Sequence, residues 1–322
     1  MLKNARAGSE FNLGFKVMKI IEKRYWYFLL SLLVMLPGLV GLALWGLPLA
    51  IDFTGGSKLE LRMPAATELS VEAVQKLLAE NGLENAVAQL AENSTVIVRA
   101  KAMEDATKGK LVAALEARFG GPSELLAFES VGPVVGAEVA WRAAQAVGIA
   151  ALGILLYITY AFRGTAHAVR YGVCAIIAML HDVAVVVGAS ALLGRWLGWE
   201  VDALFLTALL TVIGFSVHDT IVVFDRIREN LVVHRRASYE AVVNHSMVQT
   251  LDRSINTQLT ALLPLLALAL FGGSTTFHFV ITLLIGILSG TFSSIFNAAP
   301  ILVVWEYQEW RTWFRRRPAA AA

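Results

Sequence analysis

The stretch SINTQLTALLPLLALALFGGSTTFHFVITLLIGILSGTFSSIFNAAPILVVW, residues 254–305, contains no Asp, Glu, Lys or Arg. Because a membrane-spanning helix needs about 20 mostly apolar residues, this stretch is long enough for two. The cluster Gly272-Gly273-Ser274-Thr275-Thr276 lies inside it and is typical of a turn. The stretch therefore predicts two consecutive membrane helices.

The composition of the whole chain has the same character. Of its 322 residues, 57% are hydrophobic and 16% are charged, and its mean hydropathy is +0.63. Soluble domains contain about 25% charged residues, so the composition excludes a cytosolic enzyme, a disordered chain and a disulfide scaffold. The net charge of +2 gives no indication of nucleic-acid binding. Cys174 is the single cysteine and cannot form a disulfide within the chain.

Four further windows are long enough to cross a membrane. They are residues 25–45, 143–162, 171–194 and 203–224, and the last two each contain one aspartate, Asp182 and Asp219. The first window is longer than the apolar core of a cleaved signal peptide, about 7–15 residues, so it reads as a signal anchor. The sequence therefore predicts six membrane helices, with five as the alternative count.

Lysine and arginine in the short loops predict the orientation, because cytoplasmic loops are enriched in them. The basic groups precede span 1, lie between spans 2 and 3 and between spans 4 and 5, and follow span 6: Lys3, Arg6, Lys16, Lys19, Lys23, Arg24, Arg163, Arg170, Arg226, Arg228, Arg235, Arg236, Arg311, Arg315, Arg316 and Arg317. The opposite short loops contain one basic residue, Arg195. Six spans put all four groups on one side, so we expect both termini in the cytoplasm.

The predicted organisation has one sizeable water-exposed domain. We expect a cytoplasmic segment at 1–24, membrane helix 1 at 25–48, an extracytoplasmic domain at 51–135, membrane helices 2–6 at 138–305 and a cytoplasmic tail at 306–322. Residues 227–251, between spans 4 and 5, are basic and amphipathic. This pattern predicts a segment lying along the cytoplasmic face.

The domain at 51–135 shows alternating strand and helix patterns. Strands are predicted at 57–63, 86–90, 95–98 and 124–130, and helices at 71–81 and 104–119. Ser70 is the predicted N-cap of the first helix, whose apolar face is Val71, Val74, Leu77 and Leu78. The order βαββαβ is that of an α+β ferredoxin-like domain. Because we find no phosphate loop, metal-ligand spacing or nucleophile–base grouping, we interpret it as a packing or partner-binding domain.

Three ionisable residues fall inside or beside the apolar windows, where a charge is costly and usually functional. Asp182 lies twelve residues after Arg170, about 18 Å along a helix, and Asp219 lies seven residues before Arg226, about 10 Å. Arg253 opens span 5 from the same side, so Asp219 and Arg253 are a candidate opposite-charge pair. The pair would load and release a proton as it opens and closes, or alternatively would only hold spans 4 and 5 together.

A histidine precedes each aspartate, at His181 and His218. Two histidines and two aspartates at membrane depth suggest metal transport as an alternative hypothesis. This hypothesis is disfavoured, because adjacent helix residues do not share a face and so cannot easily bind one ion together. His218 is a candidate proton relay or a packing histidine.

Small residues predict close helix packing within the bundle. Gly286 and Gly290 form a GxxxG step that lets two helices approach. The same argument applies to the small residues of span 2, which are Ala143, Ala144, Gly148 and Gly153.

Four segments together resemble a known family. Asp52-Phe53-Thr54-Gly55-Gly56 follows span 1, and Val131-Gly132-Pro133-Val134-Val135-Gly136 precedes span 2. Residues 214–230, GFSVHDTIVVFDRIREN, close span 4, and Arg253-Ser254-Ile255-Asn256-Thr257 opens span 5. Over about residues 16–310 the chain closely resembles the SecF family of protein-export membrane proteins.

The resemblance implies a fold and a function. SecF proteins pair with SecD in a twelve-helix unit related to resistance-nodulation-division exporters, and the pair associates with the SecYEG channel and YajC. The unit uses the proton-motive force to help unfolded chains cross the bacterial cytoplasmic membrane. The resemblance therefore implies a transport subunit rather than an enzyme, with no cofactor or metal. SecF also occurs fused behind SecD, so the chain is a separate subunit or the SecF half of a fusion.

The resemblance also assigns residues. The functional aspartate of span 4 falls on Asp219 and the arginine of span 5 on Arg253. Asp182 matches a polar position of span 3, and His218 stands where the family usually has asparagine. The glycines Gly55 and Gly56 fit a tight exit from the membrane, and Gly132, Pro133 and Gly136 belong to the second motif. Asp52 is expected to be a turn or cap residue.

Two rival functions remain open. One is half of a small-molecule or lipid exporter of the same superfamily, which a deep apolar pocket in the water-exposed domain would favour. The other is a structural assembly factor without a proton role. An intramembrane enzyme is the least favoured class.

Overall fold

The structure is a computed structural model that describes residues 18–63, 69–83, 85–91, 94–101, 103–165 and 167–313. Within this part of the chain, six helices are long and apolar enough to cross a membrane: Ile21–Trp45, Pro133–Ala161, Ala168–Leu197, Ala203–Val233, Tyr239–Phe271 and Thr276–Glu306. The prediction of six spans is confirmed, and the alternative count of five is wrong. The basic residues Lys3, Arg6, Lys16, Arg315, Arg316 and Arg317 lie outside the described residues.

The elements follow the predicted alternation of long helices and a small sheet region. In chain order they are α1 Arg24–Trp45, α2 Ile51–Thr54, β1 Gly56–Arg62, α3 Val71–Glu80, β2 Val87–Ala91, β3 Thr95–Ala100, α4 Asp105–Phe119, β4 Glu124–Val131, α5 Pro133–Ala161, α6 Ala168–Leu197, α7 Ala203–Val233, α8 Tyr239–Phe271, α9 Ser274–Ser293, α10 Ala299–Glu306 and α11 Trp310–Trp313. A 3₁₀ turn at Ile21–Lys23 precedes α1, and a π-helical segment at Ser294–Ala298 joins α9 to α10. The predicted turn between spans 5 and 6 lies between Phe271 and Ser274.

The chain divides into two compact units. The sheet unit comprises Pro48–Val147 and Glu200–Ala203, and the helical unit comprises the remaining described residues. The sheet unit therefore extends beyond the predicted 51–135. It also includes residues from the loop before α7, because the Val201 N–H donates to the Pro48 carbonyl at 2.8 Å and the Ala50 N–H donates to the Val201 carbonyl at 2.9 Å.

The sheet unit contains four antiparallel strands in the order β2-β3-β1-β4. Helices α3 and α4 contribute to the apolar core of this unit through Leu78, Leu111 and Leu115. Ser70 caps α3 as predicted, because its Oγ accepts a hydrogen bond from the Ala73 N–H at 3.2 Å. Val71 was predicted on the buried face but is exposed, since the first turn of α3 lies at the edge of the core.

The predicted surface segment at 227–251 is not a separate element. Helix α7 continues to Val233 and α8 begins at Tyr239, so the two helices form a hairpin through this region. Asn230 Nδ2 donates to Ser246 Oγ at 2.9 Å across the hairpin. The apolar face that suggested membrane-surface binding is buried instead, at Ile227, Val243 and Met247.

Close contacts in the helical unit involve small and polar residues. A Cβ atom added to Gly38 of α1 would lie 2.7 Å from the Gly188 Cα of α6, so the two helix backbones touch. Ser31 of α1 exchanges hydrogen bonds with the Asn297 amide of the π-helical segment at 2.8 and 2.9 Å. Close packing of Gly286 is confirmed, because an added Cβ would overlap Val212. Nothing lies within 4 Å of a Cβ added to Gly148 or Gly153. The prediction that these two glycines pack closely against another helix is therefore wrong among the described residues.

Candidate functional site

The first buried carboxylate, Asp182, lies in the middle of α6 with 1% of its surface exposed. Its Oδ2 accepts hydrogen bonds from Ser216 Oγ of α7 at 2.5 Å and from Ser293 Oγ of α9 at 2.6 Å. Its Oδ1 accepts from Ser289 Oγ of α9 at 2.7 Å and lies 3.0 Å from His181 Nδ1. The carboxylate therefore joins three membrane helices and has both oxygens bonded.

The second buried carboxylate, Asp219, lies on α7 with 4% of its surface exposed. Its Oδ1 accepts a hydrogen bond from Ser254 Oγ of α8 at 2.9 Å. Its Oδ2 is fully buried and has no hydrogen-bond partner among the described residues. A buried polar atom without a partner destabilises the folded state by about 1–3 kcal/mol, so the Asp219 carboxyl is a candidate functional group.

Arg253 and His218 lie beside Asp219 without touching it. Both side chains interact electrostatically with the carboxylate, but within the described chain neither forms an ion pair with it at 4.0 Å or less. Both residues are exposed on the surface of the helical unit. The structure thus places the two predicted opposite charges near each other but without a direct contact.

The glycine motifs form one junction within the sheet unit. Gly55 has φ +71°, and an added Cβ would lie 2.6 Å from the Pro133 Cα. A Cβ added to Gly136 would lie 2.6 Å from the Gly55 nitrogen, and one added to Gly56 would lie 2.7 Å from the Ala100 carbonyl oxygen. The motifs following span 1 and preceding span 2 therefore pack backbone to backbone, which only residues without side chains permit.

Two other motif residues stabilise the first turn of a helix. Pro133 is the first residue of α5, where its missing N–H is not needed, and the Gly132 carbonyl accepts the first helical bond from Gly136. Asp52 Oδ2 accepts a hydrogen bond at 2.8 Å from the N–H of Ala203, the first residue of α7. Asp52 thus acts as a cap, although for a helix far away in the sequence.

The described residues contain no group of three or more His, Cys, Asp or Glu side chains that could hold a metal ion. The histidines that suggested metal transport are separated in the fold. His181 contacts the Asp182 carboxylate, whereas His218 is exposed on α7. The two sites instead consist of carboxylates that accept hydrogen bonds from serine hydroxyls.

Several site residues were not identified from the sequence. Ser289 and Ser293 bind Asp182, and Ser254 and Gln258 flank Asp219. Each pair is spaced i, i+4, which places both side chains on one helix face. That spacing was a usable signal, because two polar residues on one face of an apolar helix need a polar partner in a membrane.

Comparisons with known proteins agree with the sequence resemblance. Residues 112–308 match the family described as protein export membrane protein SecD/SecF, C-terminal. The chain is 52% identical to protein translocase subunit SecF of Anaerolinea thermophila, over 95% of this chain and 100% of that protein. It is 50% identical to protein translocase subunit SecF of Thermobaculum terrenum, over 94% of this chain and 99% of that protein.

A fused relative and a solved structure extend the comparison. The chain is 37% identical to protein translocase subunit SecDF of Thermus thermophilus, covering 81% of this chain and 35% of that protein. The crystal structure of SecDF from the same organism, a translocon-associated membrane protein, superposes with a TM-score of 0.79 at 34% identity. The match covers 92% of this chain and 39% of the SecDF chain. Family, helices and superposition together show that the chain is a multi-pass membrane protein that belongs to the SecF family of protein translocase subunits.

Proposed function

We propose that this chain is a proton-coupled accessory subunit of protein export, working with a SecD partner. The observation that supports the proposal best is Asp219, a carboxylate buried at membrane depth with one oxygen unpartnered among the described residues. Ionised carboxylates are costly in a membrane interior and usually mark a transport path. Asp219 is therefore the proposed proton carrier.

Arg253 supplies the means of control. A buried carboxyl without a compensating charge favours its neutral form, whereas a nearby cation favours the ionised form. Arg253 interacts electrostatically with Asp219 without an ion pair, so a small movement of α8 against α7 changes which form is favoured. The transmembrane potential offers about 2.3 kcal/mol per charge per 100 mV, enough to bias such a movement. In this proposal Asp182 is a second candidate for proton coupling, and His218 a candidate relay.

The surface of α8 supports a partner within the membrane. Arg253 and Asn256 are spaced i, i+3 on one face of α8, and both are exposed, as is His218 on α7. Lipid chains cannot satisfy these groups, so membrane helices of another protein are expected to cover them. The fused SecDF relatives indicate that SecD supplies those helices.

The rest of the assembly follows from the family. We propose that the sheet unit is a ferredoxin-like domain on the extracytoplasmic side, since its strand order β2-β3-β1-β4 with two helices suits that fold. Both termini then lie in the cytoplasm, and the membrane is the bacterial inner membrane. The SecYEG channel, YajC and a translocating unfolded polypeptide are the further proposed partners. Protonation at Asp219 would drive movement of the sheet unit during export.

The test is Asp219→Asn, which keeps the size and polarity of the side chain but cannot carry a proton. We expect export by inside-out membrane vesicles to lose its dependence on the proton-motive force, while co-purification with SecD is unchanged. Thr291→Val serves as the control, because the Thr291 hydroxyl donates to the Ile287 carbonyl of its own helix. Normal proton-dependent export by Asp219→Asn would refute the proposal, and loss of SecD binding would favour the assembly-factor alternative.

A further inference from the structure

The face of α8 that meets Asp219 carries two polar residues one helical turn apart. Ser254 and Gln258 are spaced i, i+4, and they are 1% and 5% exposed. Ser254 Oγ donates to Asp219 Oδ1 at 2.9 Å. The Gln258 amide lies close enough to the same carboxyl to interact with it by hydrogen bonding, and its Oε1 atom has no partner among the described residues. Gln258 was not among the residues that the sequence or the family resemblance singled out.

Two buried oxygens remain without a hydrogen-bond partner among the described residues of this site. They are Asp219 Oδ2 and Gln258 Oε1. Both atoms accept hydrogen bonds when the carboxyl is ionised, so they cannot satisfy each other. One proton on Oδ2 removes the conflict, because the carboxyl then donates an O–H that an amide oxygen accepts.

We propose that Gln258 is a positioning residue for the coupled proton: its Oε1 accepts the hydrogen bond of protonated Asp219. This inference rests on the proposed proton-carrier function of Asp219. A hydronium ion in the water on one side of the membrane gives up the proton, so that its O–H bond breaks as the O–H bond at Oδ2 forms. The Oδ2–H bond breaks in turn when the proton passes to a water molecule on the other side and forms hydronium there.

The amide suits both charge states of the carboxyl. Rotation about the last bond of Gln258 presents Oε1 to the neutral acid or its NH₂ group to the carboxylate. The ionisable groups that interact with Asp219 are His218 from its own helix and Arg253 from α8. Among these residues, the Gln258 amide is uncharged and offers both a donor and an acceptor. Gln258 can therefore accept the hydrogen bond of protonated Asp219 without itself taking up the proton.

The experiment is infrared difference spectroscopy between two pH values on the complex with its SecD partner, reconstituted in lipid vesicles. The carbonyl-stretching band of protonated Asp219 is identified by its absence in Asp219→Asn. In Gln258→Leu, which has a similar volume and no acceptor, we expect the band to move to higher wavenumber because the hydrogen bond is lost. Proton-dependent export is expected to fall about tenfold, the upper range for one hydrogen bond.

A second variant keeps the inference testable if Gln258→Leu fails to assemble. In Gln258→Glu two adjacent carboxyls would share a proton, so the protonated band is expected to persist to a pH higher by about one unit or more. Thr291→Val is the matched control and should leave the band in place. A structural role for Gln258 would reduce the amount of complex without moving the band.

The outcomes separate the two proposals. An Asp219 band that is unchanged in both Gln258 variants overturns the role of Gln258 and leaves proton coupling at Asp219 intact. Absence of any band that Asp219→Asn removes, together with normal proton-dependent export by that variant, overturns the proton-carrier function and the role of Gln258 with it. A shifted band in Gln258→Leu supports both.

Discussion

Asp182 and Asp219 are both buried at membrane depth, but their hydrogen bonds differ. Asp182 accepts three serine hydroxyls from two other helices, and Asp219 accepts one. The three serine hydroxyls tie the Asp182 carboxyl to α7 and α9, so its hydrogen bonds help to hold these helices together. Asp219 is the less constrained of the two, which suits a group that gains and loses a proton.

Replacement of Asp182 by asparagine should therefore affect folding more than Asp219→Asn does. The amide of Asp182→Asn has one accepting oxygen in place of two, so serine hydroxyls of α7 and α9 lose their acceptor. We expect a loss of about 1–3 kcal/mol in the free energy of unfolding, seen as a lower Tm of the purified protein in detergent.

Ser190→Ala is the control for this prediction, because the Ser190 hydroxyl donates to the Val186 carbonyl within α6 itself. Its Tm should stay close to that of the unchanged protein. Equal Tm values for Asp182→Asn and Asp219→Asn would contradict the distinction between the two aspartates.

Sequence alone identified the two aspartates because a charge in an apolar window is conspicuous. Their serine partners were not identified, since a single hydroxyl is common in membrane helices and is usually satisfied by its own backbone, as at Ser190. Whether Asp219 and Arg253 form an ion pair depends on the relative position of α7 and α8, which depth along each helix does not determine. Depth therefore predicted that the two side chains lie near each other, but not that they remain without a direct contact.

At the scale of helices, the crossing of α1 and α6 depends on two glycines. Gly38 and Gly188 lie backbone to backbone, with 2.7 Å between an added Cβ and the opposite Cα. Small residues bring membrane helices together mainly through such packing, because burial of apolar groups offers little gain in lipid.

Gly188→Ala should separate the two helices. The added methyl group overlaps backbone atoms, which cannot rotate away, so we expect the free energy of unfolding to fall by about 1–3 kcal/mol. Thermal unfolding in detergent measures the change.

Gly153→Ala is the matched control on α5, since nothing lies within 4 Å of its added Cβ. It should be neutral or stabilising by about 0.5–1 kcal/mol, because alanine restricts the unfolded chain and favours helix. If Gly153→Ala lowered the free energy of unfolding as much as Gly188→Ala, the loss in Gly188→Ala could not be attributed to the contact between α1 and α6.

Helix number and helix length were predictable, because hydropathy reports directly on how many segments can enter a membrane. The region at 227–251 was misassigned, since an amphipathic face looks the same whether it covers a membrane surface or another helix. The glycine contacts were partly predictable. Gly286 lies in a GxxxG step, whereas Gly38 and Gly188 meet across more than a hundred residues and carry no local signature.

At the scale of the whole molecule, ion pairs connect distant parts of the chain. Arg24 at the start of α1 bonds to Glu309 near the end of the described chain at 2.5 Å and to Glu240 of α8 at 3.0 Å. Tyr25 also donates to Glu309. Burial raises the pKa of Glu309, but the hydrogen bonds from Arg24 and Tyr25 outweigh it and hold the pKa below the ordinary 4.5.

This network predicts a pH dependence. A carboxyl whose pKa is lowered by folding contributes stability above its ordinary pKa, and that contribution is lost as the pH falls below 4.5 through the lowered value. The contribution should be about 1 kcal/mol or less, because the pair is partly exposed. Tm measured from pH 7 down to about pH 3 should therefore fall further for the unchanged protein than for Glu309→Gln. Parallel curves for the two proteins would show that Glu309 does not contribute.

The π-helical segment at Ser294–Ala298 has a consequence for insertions and deletions. A π-helical turn is equivalent to one extra residue inserted in an α-helix. Because the π turn takes up this residue locally, the helical residues on either side keep their facing. A residue added or removed in the regular part of α9 would instead rotate everything beyond it by about 100°. Asn297 would then turn away from Ser31. The π-helical segment is thus a place where this buried helix can change its length by one residue, a change that is otherwise tolerated mainly in surface loops.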